Sequence, residues 1–205
     1  MYKPERLAAF CDGVMAIAIT LLVLGLQVPS ATKVPERELI QYLYDSIHSL
    51  IGFVSSFMLV GTYWLQHYVI FHYIHRVDRG FVAINGLFLL VISFVPFPTG
   101  LQATYRNDHL AFLLYAGTQI LCGLMLLGIW IYATRNHRLV ASDLTQRVIQ
   151  HITRRTAVSP ILGVVAICVS LWNINLGRII FLGIPIIYFS RSAVDAWSNE
   201  SKDDK

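Results

Sequence analysis

Charge is what this sequence has least of. Only 14% of its 205 residues are Asp, Glu, Lys or Arg, where a soluble globular domain carries about 25%. Cysteine is scarce too. The three present, Cys11, Cys122 and Cys168, are odd in number and sit singly in apolar runs with no CxxC spacing. That excludes a disulfide framework or a cysteine metal site, and each is expected to be a small buried residue. His72 and His75 are three apart but have no third ligand in sight, so no metal is expected. Paired carboxylates at membrane depth, HExxH and GxSxG are all missing. No enzyme and no cofactor are expected. The net charge of +4 does not point to nucleic acid, because the basic residues lie between apolar runs and not on one face.

What is present is hydrophobic sequence, 56% of the chain, gathered into runs near the ~20 residues a helix needs to cross a bilayer. Helices suit lipid because each satisfies its own backbone hydrogen bonds. Six spans are expected: 7–28, ending at Pro29; 39–74, with 47–70 in the membrane; 81–102; 110–134; 156–172; and 179–190. Asp45 and His48 fall near the outer interface. Pro96 and Pro98 should kink or end the third span. The sixth is short and holds Pro185, and Asn173, Asn175, Gly177 and Arg178 mark the turn before it, so a re-entrant hairpin is the alternative there. The first run is too long for a signal-peptide core and lacks a clear cleavage site, so it is expected to remain as a span.

Twelve of the 16 Lys and Arg residues fall on one side of this arrangement, with the N-terminus, and four on the other. The positive-inside rule therefore puts both termini in the cytoplasm of a multi-pass protein of the inner (plasma) membrane. Tyr63, Trp64, Tyr132, Trp172 and Trp197 fall near span ends, as an aromatic belt does. In the longest loop, 135–155, Ser142 and Asp143 precede Leu144, Val148 and Ile152, the pattern of a capped amphipathic helix along the membrane surface. Residues 1–198 form one membrane domain, and 199–205 a polar tail expected to be disordered.

The first span is unusual. Asp12 lies about four residues above its cytoplasmic boundary, where a carboxylate is costly, roughly 3 kcal/mol at a helix centre and less near the interface. At about 100° per residue, Gly13, Ile17, Thr20, Leu21, Leu24 and Val28 share one stripe, and Asp12 lies off it, pointing into the bundle. Such a stripe serves helix packing or lipid contact equally well. His67 lies about 13 Å above Arg76 along the second span, and Asp12 about 9 Å above Arg6 along the first. A cluster of Arg6, Asp12 and His67 follows from these similar depths, with Asp78 able to join. His67 there is either a proton-sensitive group or a donor of one satisfied hydrogen bond.

These residues resemble a known signature. Arg6, Phe10, Cys11, Asp12 and Gly13, then Ala16, Ile17, Thr20, Leu21 and Leu22, are similar to Arg-x-x-x-Phe-Ser-Asp-Gly followed by Ala-Ile-x-x-Thr-Leu-Leu, found in bacterial relatives of the endo-lysosomal transmembrane potassium channel. Trp64, Gln66, His67 and Phe71 look like that family's second span; Arg76, Val77, Asp78 and Arg79 like its inner turn; and Pro96, Phe97, Pro98 and Thr99 like its third span. The resemblance is specific over the first half of the chain and rests on hydropathy beyond it. It implies an all-α integral membrane protein with six transmembrane helices per subunit, the first lining a central pore in a homotetramer within membrane lipid. It further implies a potassium-permeable channel, with Ile17, Leu21 and Leu24 as the constriction and Thr20 as a pore-lining hydroxyl. Arg6, Phe10, Asp12, Gly13 and His67 become a network bracing the pore helix. No Thr-Val-Gly-Tyr-Gly stretch occurs, so a carbonyl filter is not available. Cys11 stands where the signature has serine, and Gly25 where many relatives carry an acid. A proton-coupled secondary transporter is the alternative, resting on Asp12 and His67.

Overall fold

The computed structural model describes residues 3–26, 28–29 and 35–189, all of it helix and connecting turns apart from isolated bridge positions, among them Ile74 paired with Val140. The tail 199–205 lies outside the described residues. Among the described residues, five stretches are long and apolar enough to cross a membrane: Pro4–Gly25, Ile47–His72, Arg79–Thr104, His109–His137 and Gln146–Ser170. The sixth apolar helix, Ile174–Phe189, has 16 residues, about 24 Å at 1.5 Å per residue. That falls short of the ~30 Å hydrocarbon core.

Local chemistry sets the boundaries. Helix α1 (Pro4–Leu21) opens on a proline, whose missing N–H costs nothing in the first turn. It tightens into a 3-10 turn over Leu22–Gly25, and Leu26 is extended. Val28 is therefore off the helix, and the apolar stripe ends at Leu24 rather than at Val28. Helix α2 (Leu39–Asp45) is separated from α3 (Ile47–His72) by a single turn residue, Ser46. Asp78 caps α4 (Arg79–Phe94) by accepting the Phe81 N–H at 2.8 Å. Helix α5 (Pro96–Thr104) follows after a break at Val95, because Pro96 and Pro98 supply no N–H to the ladder. Asp108 caps α6 (His109–Thr134) through the Ala111 N–H at 2.9 Å.

The second half departs from the sequence expectation. No separate surface helix occupies the loop after α6. Helix α7 runs unbroken over Gln146–Ser170, joining the amphipathic stretch to the fifth span, because nothing breaks the helix between them. The Trp130 indole ties that stretch to α6, donating to Ile149 O at 3.2 Å and to the Thr153 hydroxyl at 3.0 Å. Pro160 lies inside α7, and its ring fills the notch left by Gly123, where a Cβ would come within 2.8 Å of Pro160 Cδ. Helix α8 (Ile174–Phe189) begins five residues before 179, since Asn173 accepts the N–H groups of Asn175 and Leu176 and starts the helix there. Asn175, Gly177 and Arg178 are thus helical, not turn. Gly177 lies against α7, where an added Cβ would sit 2.8 Å from Ala166 O.

The helices build two cores. In one, α1, α3, α4 and α6 bury Met15, Tyr63, Phe81, Phe88 and Trp130; in the other, Leu59, Phe112, Tyr115 and Phe181 join α3 and α6 to α7 and α8. Tyr63 is a core residue and not part of an interfacial belt. It is fully buried, its hydroxyl donating to Gln119 O at 2.9 Å and lying 3.1 Å from Ser159 Oγ. Cys11 and Cys122 are buried, but Cys168 is exposed, on the outer side of α7. Where α3 ends and the chain leaves α6, the His75 N–H donates to Leu139 O at 2.9 Å, and Asn136 and His137 adopt positive φ to turn the chain back.

Candidate functional site

Helix α1 has two unlike faces. Cys11, Met15, Ala18 and Leu22 are buried against α3 and α4. Opposite them, Gly13, Ile17, Thr20, Leu21 and Leu24 are exposed. The large apolar members are 61% (Ile17), 42% (Leu21) and 73% (Leu24) accessible, so a large part of each lies outside the chain's own packing. Phe10 belongs to this open face, at 62% exposure. The Thr20 hydroxyl donates to Ile17 O at 2.8 Å. Its proton is thereby committed to the backbone and its oxygen lone pairs stay available. Gly13 has no atom within 4 Å of where a Cβ would be. At the far end, Gly25 lies on the backbone of α5, with the position of its missing Cβ 3.6 Å from Gly100 Cα.

Asp12 sits on the flank between these faces and is exposed. Helix rotation sets it roughly 90° from the buried stripe and about 125° from the open one, at the edge of the bundle and not in its interior. Its partner is Trp64 on α3, whose indole Nε1–H donates to Oδ1 at 3.0 Å. Arg6 is exposed and takes part in neither of the ion pairs among the described residues, Arg37–Glu38 and Arg138–Asp78.

His67 is 1% exposed and bonds Asn85 Oδ1 at 3.2 Å through Nε2. Asn85 uses its amide N–H on Phe81 O at 2.8 Å, which leaves its oxygen as acceptor and assigns the His67 proton to Nε2. The ring is stacked between Phe71 and Phe88 at centroid distances of 4.3 and 5.6 Å.

Asp78 forms a third, separate centre. Besides capping α4, it accepts from the Tyr132 hydroxyl at 3.1 Å and pairs with Arg138 at 2.8 Å. Gly80 makes room for that hydroxyl, which a Cβ there would strike. Partial burial acts to raise the Asp78 carboxyl, but the Phe81 N–H, the Tyr132 hydroxyl and the Arg138 charge outweigh it and hold it below its ordinary range.

In the expected grouping of Arg6, Asp12 and His67, with Asp78, Asp12 lies close enough for its charge to act on His67, but the hydrogen bonds of Asp12, His67 and Asp78 go to separate partners. Depth alone cannot show which side chains meet, and three competing partners intervene: Trp64, Asn85 and Arg138. An indole N–H at membrane depth and a midspan asparagine each need a partner, and that was the available signal for the first two. Among the described residues no three His, Cys, Asp or Glu side chains gather as a metal site.

Residues 6–96, from α1 to the start of α5, match the family model described as the endosomal/lysosomal potassium channel TMEM175. A potassium channel of Chamaesiphon minutus is 34% identical over 91% of this chain and 94% of its own length. The chain belongs to the TMEM175 family. A potassium channel of Streptomyces collinus is a further TMEM175 relative, 36% identical over 68% of each chain. The crystal structure of a lysosomal potassium-selective channel TMEM175 homolog from Chamaesiphon minutus superposes with a TM-score of 0.81 at 31% identity, covering 90% of this chain and 95% of that one. The similarity thus extends beyond the first half, to which the sequence motifs had confined it. The TMEM175 fold accommodates the short α8 as well as the five longer stretches.

Proposed function

We propose that this chain is a potassium channel of the TMEM175 family, that four copies assemble, and that ions pass along the axis between their first helices. The observation that carries this reading is the pairing of Asp12 with the open face of α1. A carboxylate exposed toward hydrocarbon is costly, and Trp64 supplies Asp12 with a single donor. A helix flank bearing that group, beside an uncovered stripe from Gly13 to Leu24, suits a neighbouring subunit or water better than lipid.

Four such stripes around an axis stack Ile17, Leu21 and Leu24 into apolar rings about 5–6 Å apart. A neck of this kind blocks ions when it dewets and conducts when it widens enough to hold water. The ring of Thr20 oxygens, with their protons held by Ile17 O, presents acceptors to a cation within the neck. Discrimination among ions then depends on neck width and these hydroxyl oxygens, with no carbonyl filter. Arg6, Phe10, Asp12, Gly13 and His67 bear on the inner half of the pore helix. Asp12 does so through Trp64, His67 through the α3–α4 contact, and Phe10 and Gly13 on the face offered to a neighbour. The six helices of each subunit sit in the inner membrane with both termini cytoplasmic.

The deciding experiment reconstitutes the purified protein in liposomes with a potassium gradient and determines its subunit number by native mass spectrometry. Tetramers with potassium flux above empty vesicles are the expected result. Assembled protein without flux, or uptake that saturates and requires a counter-substrate, sinks the channel reading.

A further inference from the structure

At the end of the bundle opposite Asp78, the start of α3, the end of α5 and the start of α8 enclose a cavity of about 280 Å³. Its walls carry Arg106 and Arg178 together with His48, Gln102 and Asn175, and no aspartate or glutamate. The two arginines are close enough for the charge of Arg106 to act on that of Arg178. Arg178 donates through Nη1 to Asn175 Oδ1 at 2.9 Å, while its Nη2 is shielded from solvent and has no acceptor among the described residues. The neighbouring carboxylates are occupied elsewhere. Asp108, two residues from Arg106, accepts the Ala111 N–H, and Asp45, three residues before His48, accepts from Gln41.

Like charges that share a concave space without a counter-ion repel, and an enclosed N–H without an acceptor carries a desolvation cost. One oxyanion relieves both. The guanidinium fork matches the tetrahedral oxygens of phosphate. The remaining wall carries the hydroxyls of Ser55, Thr99 and Tyr115 and an apolar side of Ile51, Ile179 and Leu182, exposed on the outer surface of the helices, where an acyl chain can run beside the headgroup. We propose that this cavity is a binding site for a phosphate-bearing anion, held between Arg106 and Arg178. The phosphate comes either from a membrane phospholipid or from free inorganic phosphate.

The test uses the full chain purified in a neutral detergent and reads the thermal unfolding midpoint and native mass spectrometry, independently of ion flux. Three ligands are titrated: inorganic phosphate, short-chain phosphatidylglycerol, and short-chain diacylglycerol, which lacks the phosphate. Saturable binding of phosphatidylglycerol, weakened about tenfold or more in Arg178→Gln and absent for diacylglycerol, is the expected result. Binding of phosphatidylglycerol alone assigns the site to lipid. Binding of inorganic phosphate that competes with it assigns the site to the free ion. Arg106→Gln, at the exposed mouth of the cavity, provides the same reading should Arg178→Gln fail to fold. No saturable binding of either phosphate ligand, or equal binding in the wild type and the arginine variants, overturns the proposal.

Discussion

The indole N–H of Trp64 meets the carboxylate of Asp12 at 3.0 Å, joining α3 to the flank of α1. Hydrogen bonds to charged groups contribute about 1.5–3 kcal/mol, and exposure lowers that figure. Asp12→Ala and Trp64→Phe should each destabilise the protein by roughly 1 kcal/mol. The double variant should lose less than the sum, because both changes remove the same contact. A double-mutant cycle on the unfolding midpoint measures the difference. Strictly additive losses would show that the contact contributes nothing and that Asp12 is braced by something else.

Two residues two positions apart on α1 should respond in opposite ways. Met15 is fully buried, and Ile17 is 61% exposed. Met15→Ala removes core contacts and should lower stability by about 2–5 kcal/mol. Ile17→Ala touches little inside the subunit and should leave stability within about 0.5 kcal/mol, while increasing leak and weakening ion discrimination. Leu21→Ala should behave like Ile17→Ala. Liposome flux and thermal unfolding on the same preparations separate the two effects. Unchanged flux in both Ile17→Ala and Leu21→Ala would remove the stripe from the pore.

The two faces of α1 were legible because a helical repeat is a local property, and Ile17, Thr20, Leu21 and Leu24 lie on the open side where rotation puts them. Which side packed inward was not legible, since apolar residues serve a core, a pore and lipid alike. Asp12 illustrates a second limit. Its depth was readable from Arg6, but its hydrogen-bond partner lies on another helix, and rotation of that helix presents Trp64 to the carboxylate while His67 meets only its charge. The start of α8 was missed because Asn175 and Gly177 look like turn residues by type. Tertiary contact with Ala166 and the Asn173 cap make them the first turn of a helix. The docking of that continuous helix on α6 likewise depends on distant residues, Trp130 and Gly123.

Gly177 tests that packing directly. A Cβ there would lie 2.8 Å from Ala166 O, 2.9 Å from Ser170 Cβ and 3.0 Å from Phe112 Cζ. None of the three is the end of a flexible chain, so α7 and α8 must move apart. Gly177→Ala should cost about 1–3 kcal/mol through overpacking. Gly128→Ala, which meets nothing within 4 Å, should be neutral or slightly stabilising through helix propensity. Thermal midpoints of the two variants decide the matter. Equal midpoints would mean that α7 and α8 are not held in close contact.

The latch at Asp78 gives a pH dependence whose sign is fixed. Its carboxyl titrates below the ordinary range in the folded protein, because the Phe81 N–H, the Tyr132 hydroxyl and Arg138 together outweigh the effect of burial. A lowered folded pKa means that the stabilisation is complete above the ordinary carboxylate value of about 4 and is lost as pH falls through the lowered one. Between pH 5 and 8 this centre should not change. The Arg138–Asp78 pair is partly exposed, at 55% and 31% for the two side chains, so its charge contributes at most about 1 kcal/mol. Asp78→Asn keeps an N-cap acceptor and should lose only that part at pH 7. Asp78→Ala also loses the cap, a further ~1 kcal/mol. The gap between wild type and Asp78→Asn should close below about pH 4. Unfolding midpoints measured from pH 3 to pH 8 test this, and a wild-type transition between pH 5 and 8 that disappears in Asp78→Asn would show that Asp78 titrates near neutrality instead.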